Sequence, residues 1–403
     1  MMMQSRSSRR TFLAGAASAA ASLSALPATA APLVQGVFEN GDRPLVAFPQ
    51  KRELMVLTPR PPQLETPFSV FDADVFTPND AFFVRWHLSK IPTTIDATEH
   101  RIRISGAVNR PLSVSLDDLR KMDAVEIAAV NQCSGNSRGF FAPRIAGGQW
   151  QNGAMGNALW KGVRLRDVLD RAGLRAEAKQ VQFNGLEEPV LPTTPDFKKS
   201  LDVDVARGND IIIAYEMNGQ PLPLLNGFPV RLVVPGWYST YWVKMLSEIV
   251  VLDAVDDQFW MKTAYRIPAT PDGNVLPTDT GYATVPINRM KVRSFITNVK
   301  DGDHVKAGRM PLRGIAFDGG SGIKNVDWSA DGGATWASAT LEKDYGKYSF
   351  RRWNATANLD PGKPYVLAAR ATGNDGAQQA MLPIWNPSGY MRSVVETYKV
   401  AAS

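Results

Sequence analysis

An α+β domain followed by an immunoglobulin-like β-sandwich is the architecture that this sequence predicts, on three observations. Over residues 68–285, short helical patterns are mixed with short strand-like runs, which suggests an α+β domain. Near Pro286 the composition changes, and from Met290 to Lys399 short alternating segments follow one another: Val292 to Ile296, Ile323 to Trp328, Tyr365 to Ala371. Turn sequences separate them, among them Asp318-Gly319-Gly320, Asp331-Gly332-Gly333 and Asp375-Gly376, a pattern that matches a sandwich, here without a disulfide. Third, neither a GxGxxG motif nor a phosphate loop is present, which disfavours a nucleotide-binding α/β fold.

The chain begins with a segment that belongs to targeting. Ser8-Arg9-Arg10-Thr11-Phe12-Leu13 is a twin-arginine pattern, a weakly apolar run continues to Leu26, and Ala28-Thr29-Ala30 offers a small-residue cleavage site. The expectation is export of the folded protein to the periplasm and cleavage near Ala30, with residues 1–30 as signal peptide. The apolar run is too short for a membrane span. Loss of Arg6, Arg9 and Arg10 with no acids lowers the net charge from +6 to +3, so the basic balance gives no case for nucleic acid. Residues 31–67 form a Pro-rich arm, expected to be extended because Pro59, Pro61 and Pro62 argue against regular structure.

Phe82 to Leu88 follows as an aromatic and β-branched strand. Arg85 and His87 share one of its faces, opposite Val84 and Trp86, which suits either an anion or the polar face of an edge strand. Ser115-Leu116-Asp117-Asp118 resembles a capping box with Asp in place of Glu and opens a helix to Met122. Leu165, Val168, Leu169 and Ala172 carry helical spacing that Gly173 ends. Ile211 to Ala214, Val230 to Val234 and Trp242 to Leu252 are strand candidates, punctuated by Asn226-Gly227 and Pro235-Gly236.

Between these lies Asn131 to Phe141, with the single cysteine. Val125 to Val130 is a buried-strand pattern, and Gly135-Asn136 is turn chemistry, so Cys133 falls where a strand opens into a loop. Two readings stay open: a small buried hydrophobe, or a thiolate favoured by Arg138 five residues on. One cysteine excludes an intrachain disulfide, an all-cysteine zinc or iron–sulfur site and a c-type haem. With only His87, His100 and His304 as histidines, any bound metal must lean on ligands the protein does not supply.

Several strings together resemble the sulfite oxidase family: Ala214-Tyr215-Glu216-Met217-Asn218-Gly219-Gln220-Pro221-Leu222-Pro223, Gly227 to Gly236, the Cys-x-Gly-Asn stretch, Phe83-x-Arg85-x-His87, Trp160-Lys161-Gly162-Val163, and Trp385-Asn386-Pro387-x-Gly389-Tyr390. They span residues 68 to 400, and the twin-arginine signal makes the set similar to bacterial periplasmic sulfite dehydrogenases. The resemblance implies a molybdenum cofactor, one pyranopterin dithiolene, with Cys133 as the protein's thiolate on the metal. It implies that Phe83, Val84, Arg85, Trp86, His87, Arg231, Trp242, Val243 and Lys244 contact the pterin and its phosphate, together with Glu187 and Asn226, which stand where the family usually has Asp and often has His. Arg85, His87, Arg138 and Tyr265 are the implied catalytic set, the arginines binding sulfite and the phenol hydrogen-bonding without adding charge. Arg392 is a further candidate to reach the site from the second domain.

The activity so implied is oxidation of sulfite to sulfate, with electrons passed singly to an external acceptor such as a c-type cytochrome, since no haem is expected in this chain. The implied assembly is a homodimer through the sandwich or a heterodimer with a cytochrome subunit. Two other activities stay open: a periplasmic molybdenum-dependent methionine sulfoxide reductase, and a secreted Ig-like binding protein.

Overall fold

The computed structural model describes residues 33–34, 43–59 and 61–403. The twin-arginine segment and its cleavage site lie outside the described residues. Strands dominate and helices are few and short, in the expected α+β arrangement.

The arm departs from expectation. Arg43–Ala47, Glu53–Pro59 and Pro62–Glu65 are strands of one antiparallel sheet, and the last of them pairs with Val84–Arg85. Pro59 and Pro62 face each other at the hairpin end, where a missing N–H costs the ladder little. Leu54 and Leu64 bury completely against Val84, Trp86 and Met245. The arm is therefore a structural partner of the strand that carries Arg85.

Two further sheets make the central domain. One runs Lys198–Asp202, Gln180–Asn184, Glu248–Leu252, Arg101–Gly106, Leu112–Ser115, with only the Glu248–Leu252 to Arg101–Gly106 pairing parallel. The other runs Gln220–Pro221, Ile212–Met217, Met155–Arg164, Ala124–Gln132, with Arg231–Val233 also paired to Ile212–Met217. Their apolar faces share one core with the helix Leu165–Ala172, which buries Leu165, Val168, Leu169 and Ala172 and ends at Gly173 with φ 69°. The Ser115 box forms with Asp118, both reciprocal hydrogen bonds being present, and the helix stops at Arg120.

Two predicted strands are shorter than expected, and both face the same cavity. Of Phe82 to Leu88 only Val84–Arg85 pairs. Of Trp242 to Leu252 only Glu248–Leu252 does. Trp242 to Ser247 instead turns at Met245 (φ 48°), its backbone bonding across to Val230, Leu232 and the Arg231 side chain. Turning there brings Lys244 to the cavity wall.

The C-terminal part is the predicted sandwich. Arg293–Ile296, Gly308–Phe317, Arg351–Leu359 and Thr340–Leu341 form one sheet; His304–Val305, Thr397–Ala402, Pro364–Gly373, Ile323–Ser329 and Ala337–Ser338 form the other. Between them lie Leu312, Val326, Trp353, Leu367 and Val400. A separate apolar cluster, including Met155, Tyr265, Phe295, Phe317, Phe350 and Met391, joins the sandwich to the central domain.

Candidate active site

A small cavity lies where the short strand Val84–Arg85 meets the Trp242–Ser247 turn. Strand alternation sets one wall. Phe83, Arg85 and His87 line it, while Val84 and Trp86 point into the core behind, Trp86 donating to the Leu225 carbonyl (3.1 Å). Asn226, Arg231, Trp242 and Lys244 line the cavity as well. Of the residues that the resemblance nominates as cofactor contacts, the structure thus gathers Phe83, Arg85, His87, Asn226, Arg231, Trp242 and Lys244, whereas Val84, Trp86 and Val243 turn their side chains elsewhere.

Charge in the cavity is lopsided. Arg231 is wholly buried over the Trp160 and Trp242 rings, donates to the carbonyls of Asn226 (2.9 Å) and Trp242 (3.0 Å), and is pushed down to about 9 by burial. Burial, and then the neighbouring Arg231 and Arg85, lower Lys244 to about 8 against the opposing pull of Glu187. Its ammonium sits 4.2 Å from the centre of the Trp86 ring. Glu187 borders the same wall: one oxygen accepts the backbone N–H groups of His87 (3.0 Å) and Leu88 (2.9 Å) and so shapes the end of the Arg85 strand, and the other lies 4.0 Å from Lys244 Nζ. Asn226 accepts from Lys51 and donates to the Phe83 carbonyl (3.1 Å).

Among the described residues, several buried donors here have no partner: Arg85 Nη1, Asn131 Nδ2 and Arg231 Nε. Unpaired buried donors are costly, and their convergence on one cavity fits an anionic, oxygen-rich guest, as a pterin phosphate would be. The residues present therefore fit the group.

Cys133 sits just beyond the Ala124–Gln132 strand, buried, its N–H on the Ala154 carbonyl (2.9 Å). Gly135-Asn136 lies in the expected turn, whose left-handed residue is Ser137 (φ 71°). Gly135 serves another purpose, since a Cβ there would lie 2.6 Å from the Arg138 guanidinium, and the Asn136 side chain accepts from the Ala154 N–H (3.0 Å). Asn131, two residues before Cys133, lines the cavity, so the cysteine loop leaves its strand at the cavity's edge. Among the described residues no group of three or more His, Cys, Asp or Glu side chains converges, so a metal on Cys133 would draw its other ligands from a non-protein group.

Arg138 follows in a short 3₁₀ turn, donating to the carbonyls of Ser388 (3.2 Å) and Gly148 (3.2 Å), with its guanidinium 5.1 Å from the Tyr390 ring centre. Tyr390 stacks on Tyr265 at 5.5 Å and 6°, and the Tyr265 hydroxyl hydrogen-bonds His87 Nε2 at 2.5 Å. His87 is sandwiched on Phe197 (3.4 Å), and burial followed by Arg85, Lys244 and Lys199 holds it well below the usual histidine range, hence neutral near pH 7. Tyr265 occupies a left-handed conformation (φ 56°), a strain that fixed placement of its ring explains. Arg392 does not reach the cavity: its guanidinium pairs with Glu396 and lies over Phe140, satisfied outside the site.

Three residues escaped the sequence reading: Lys51, Asn131 and Tyr390. Lys51 stands in the arm taken to lack regular structure, and Asn131 and Tyr390 stand inside quoted motifs whose spacing says nothing of where their side chains turn.

The fold and cavity together define a domain built to hold an anionic group, with an appended sandwich. Residues 88–260 match the oxidoreductase molybdopterin binding domain, and residues 284–402 match the Mo-co oxidoreductase dimerisation domain. The chain is 30% identical over 387 residues to the sulfite oxidase of Arabidopsis thaliana, covering 90% of this chain and 96% of that protein. It is 34% identical to the mitochondrial sulfite oxidase of Macaca fascicularis over 84% of this chain, and spans 64% of that relative's length. It belongs to the sulfite oxidase family. In solved structures its fold resembles that of the sulfane dehydrogenase SoxCD from Paracoccus pantotrophus, with a TM-score of 0.74, 23% identity and 85% of each chain covered.

Proposed function

We propose that this chain is a periplasmic sulfite dehydrogenase, oxidising sulfite to sulfate at a molybdenum cofactor and passing electrons one at a time to an external acceptor such as a c-type cytochrome. The observation that carries this reading is the convergence of unpaired buried donors, Arg85 Nη1 and Arg231 Nε among them, on a cavity that Asn131, two residues before the lone cysteine, also lines. Bound there, the cofactor would supply a transferable oxygen atom and accept the two electrons of SO₃²⁻ + H₂O → SO₄²⁻ + 2 H⁺ + 2 e⁻. Arg231, Lys244 and Asn226 would hold its phosphate and pterin, and Cys133 would ligate the metal.

The chain's own groups then divide the work. Arg85 and Arg138 attract and orient the sulfite dianion, as fixed cations in a buried site can at little reorganisation cost. Neutral His87 receives or gives a hydrogen bond at Nε2 to the Tyr265 hydroxyl and adds no charge that would compete for the anion. Phe197, Trp260 and the stacked Tyr265–Tyr390 pair exclude water around that hydrogen bond. The sandwich would support a dimer, either of two such chains or with a cytochrome subunit.

The test is direct. Purified, molybdenum-loaded protein should reduce ferricyanide or a c-type cytochrome on addition of sulfite. No sulfite-dependent reduction in a preparation with one molybdenum per chain would refute the reading.

A further inference from the structure

The stretch Trp385 to Met391 belongs to the C-terminal domain yet lies across the cysteine loop of the central one. The Trp385 indole donates to the Pro143 carbonyl (3.0 Å), the Ser388 hydroxyl to the Arg266 carbonyl (3.2 Å), and the Met391 N–H to the Ser134 carbonyl (3.0 Å). Asn386, fully buried, clamps both backbone groups of Tyr390: its Oδ1 accepts from the Tyr390 N–H (3.1 Å) and its Nδ2 donates to the Tyr390 carbonyl (2.9 Å). Gly389, at φ 60°, leaves the space that the Arg138 side chain fills, since a Cβ there would come within 2.8 Å of Arg138 Cγ. So much backbone fixation around one aromatic ring has a result: the ring lies parallel to Tyr265, with the Arg138 guanidinium 5.1 Å from its centre.

We propose that Tyr390 is a positioning residue for sulfite binding, an aromatic platform supplied by the C-terminal domain that fixes the Arg138 guanidinium and the Tyr265 ring relative to each other. This rests on the sulfite reading above. Two long carbonyl contacts, at 3.2 Å each, and the Tyr390 side chain restrain the several torsions of Arg138. A π face adjacent to the cation supplies the restraint that those long hydrogen bonds leave incomplete. The same ring backs Tyr265, which holds an otherwise disfavoured backbone conformation beside His87. Burial keeps the Tyr390 phenol protonated.

The experiment compares Tyr390→Phe and Tyr390→Leu in the molybdenum-loaded full chain, with metal content and Tm measured on each. Phe keeps the platform and Leu removes it. Losing a cation–π contact and a ring stack should raise the KM for sulfite about tenfold in Tyr390→Leu, with kcat within about twofold. Tyr390→Phe should hold KM within about threefold of the parent. Unchanged KM in Tyr390→Leu overturns the proposal, and so does an equal loss in both variants, which would assign the effect to the hydroxyl. Amide hydrogen exchange of residues 133–141 is a second readout that needs no turnover: exchange should quicken in Tyr390→Leu and not in Tyr390→Phe, and equal protection in all three proteins refutes the platform. If the parent itself failed to oxidise sulfite, the functional reading would fall while this second readout still decided the role of Tyr390.

Discussion

Replacing Arg85 by Gln separates the cost of an active-site cation from its benefit. The Arg85 backbone is held by pairing with Gln63 and needs nothing from the guanidinium, whose Nη1 is buried without a partner among the described residues. Arg85 also disfavours the charged forms of His87 and Lys244. Removing it should therefore leave the Tm of cofactor-free protein unchanged or slightly raised, because no intramolecular bond is lost and like-charge repulsion is relieved. Function should move the other way. Loss of a charge-assisted contact to a buried anion costs about 1.5–3 kcal/mol, roughly a ten- to hundredfold rise in KM. Initial rates of sulfite-dependent ferricyanide reduction give KM, and a thermal melt of metal-free protein gives Tm. An Arg85→Gln protein with parental KM and a Tm lowered by several degrees would make Arg85 a structural residue and refute the reasoning.

Four further outcomes are expected. Cys133→Ser should abolish sulfite oxidation while circular dichroism still reports a folded chain, since Ser is nearly isosteric but a poor ligand for a soft metal; near-normal turnover would remove the thiolate from the mechanism. Lys51→Met frees Asn226 from its buried ammonium partner and should lower the pterin and molybdenum found per purified chain, so full loading would show that the arm plays no part in the cavity. Burial holds Lys51 and Lys199 each at about 7, well below their unfolded value, so the unfolded chain binds more protons between about pH 7 and 10 and the Tm of cofactor-free protein should rise through that window; in Lys51→Met the rise should be shallower, and identical slopes would refute a buried, depressed Lys51. Arg9→Lys with Arg10→Lys should leave active, uncleaved protein in the cytoplasm, and pure protein should reduce ferricyanide but not NAD; periplasmic activity in the double variant, or NAD reduction, would overturn the export and electron-transfer proposals.

Family membership, the two-part fold and the cysteine's place at the end of a strand were all legible in linear order, because each depends on local signals. Alternation placed Arg85 and His87 on one face away from Val84 and Trp86, and the structure keeps that division although only two of those residues pair as strand. Turn residues and period-two patterning marked the sandwich strands. What linear order could not show is which distant segments meet. Proline content suggested an unstructured arm, yet buried Leu54 and Leu64 make it a sheet, because the surface that covers them comes from Trp86 and Met245. Lys51 joins Asn226 across 175 positions, and Tyr390 meets Tyr265 across 125, so neither partnership leaves a periodic trace in the sequence. Arg392 shows the converse: its type and motif nominated it for the site, but an acid four residues along the chain, Glu396, captured its charge. Residue chemistry thus determined which groups could serve an oxyanion and a soft metal, whereas burial, decided only when the domains packed, selected which of them would be left unpaired to do so.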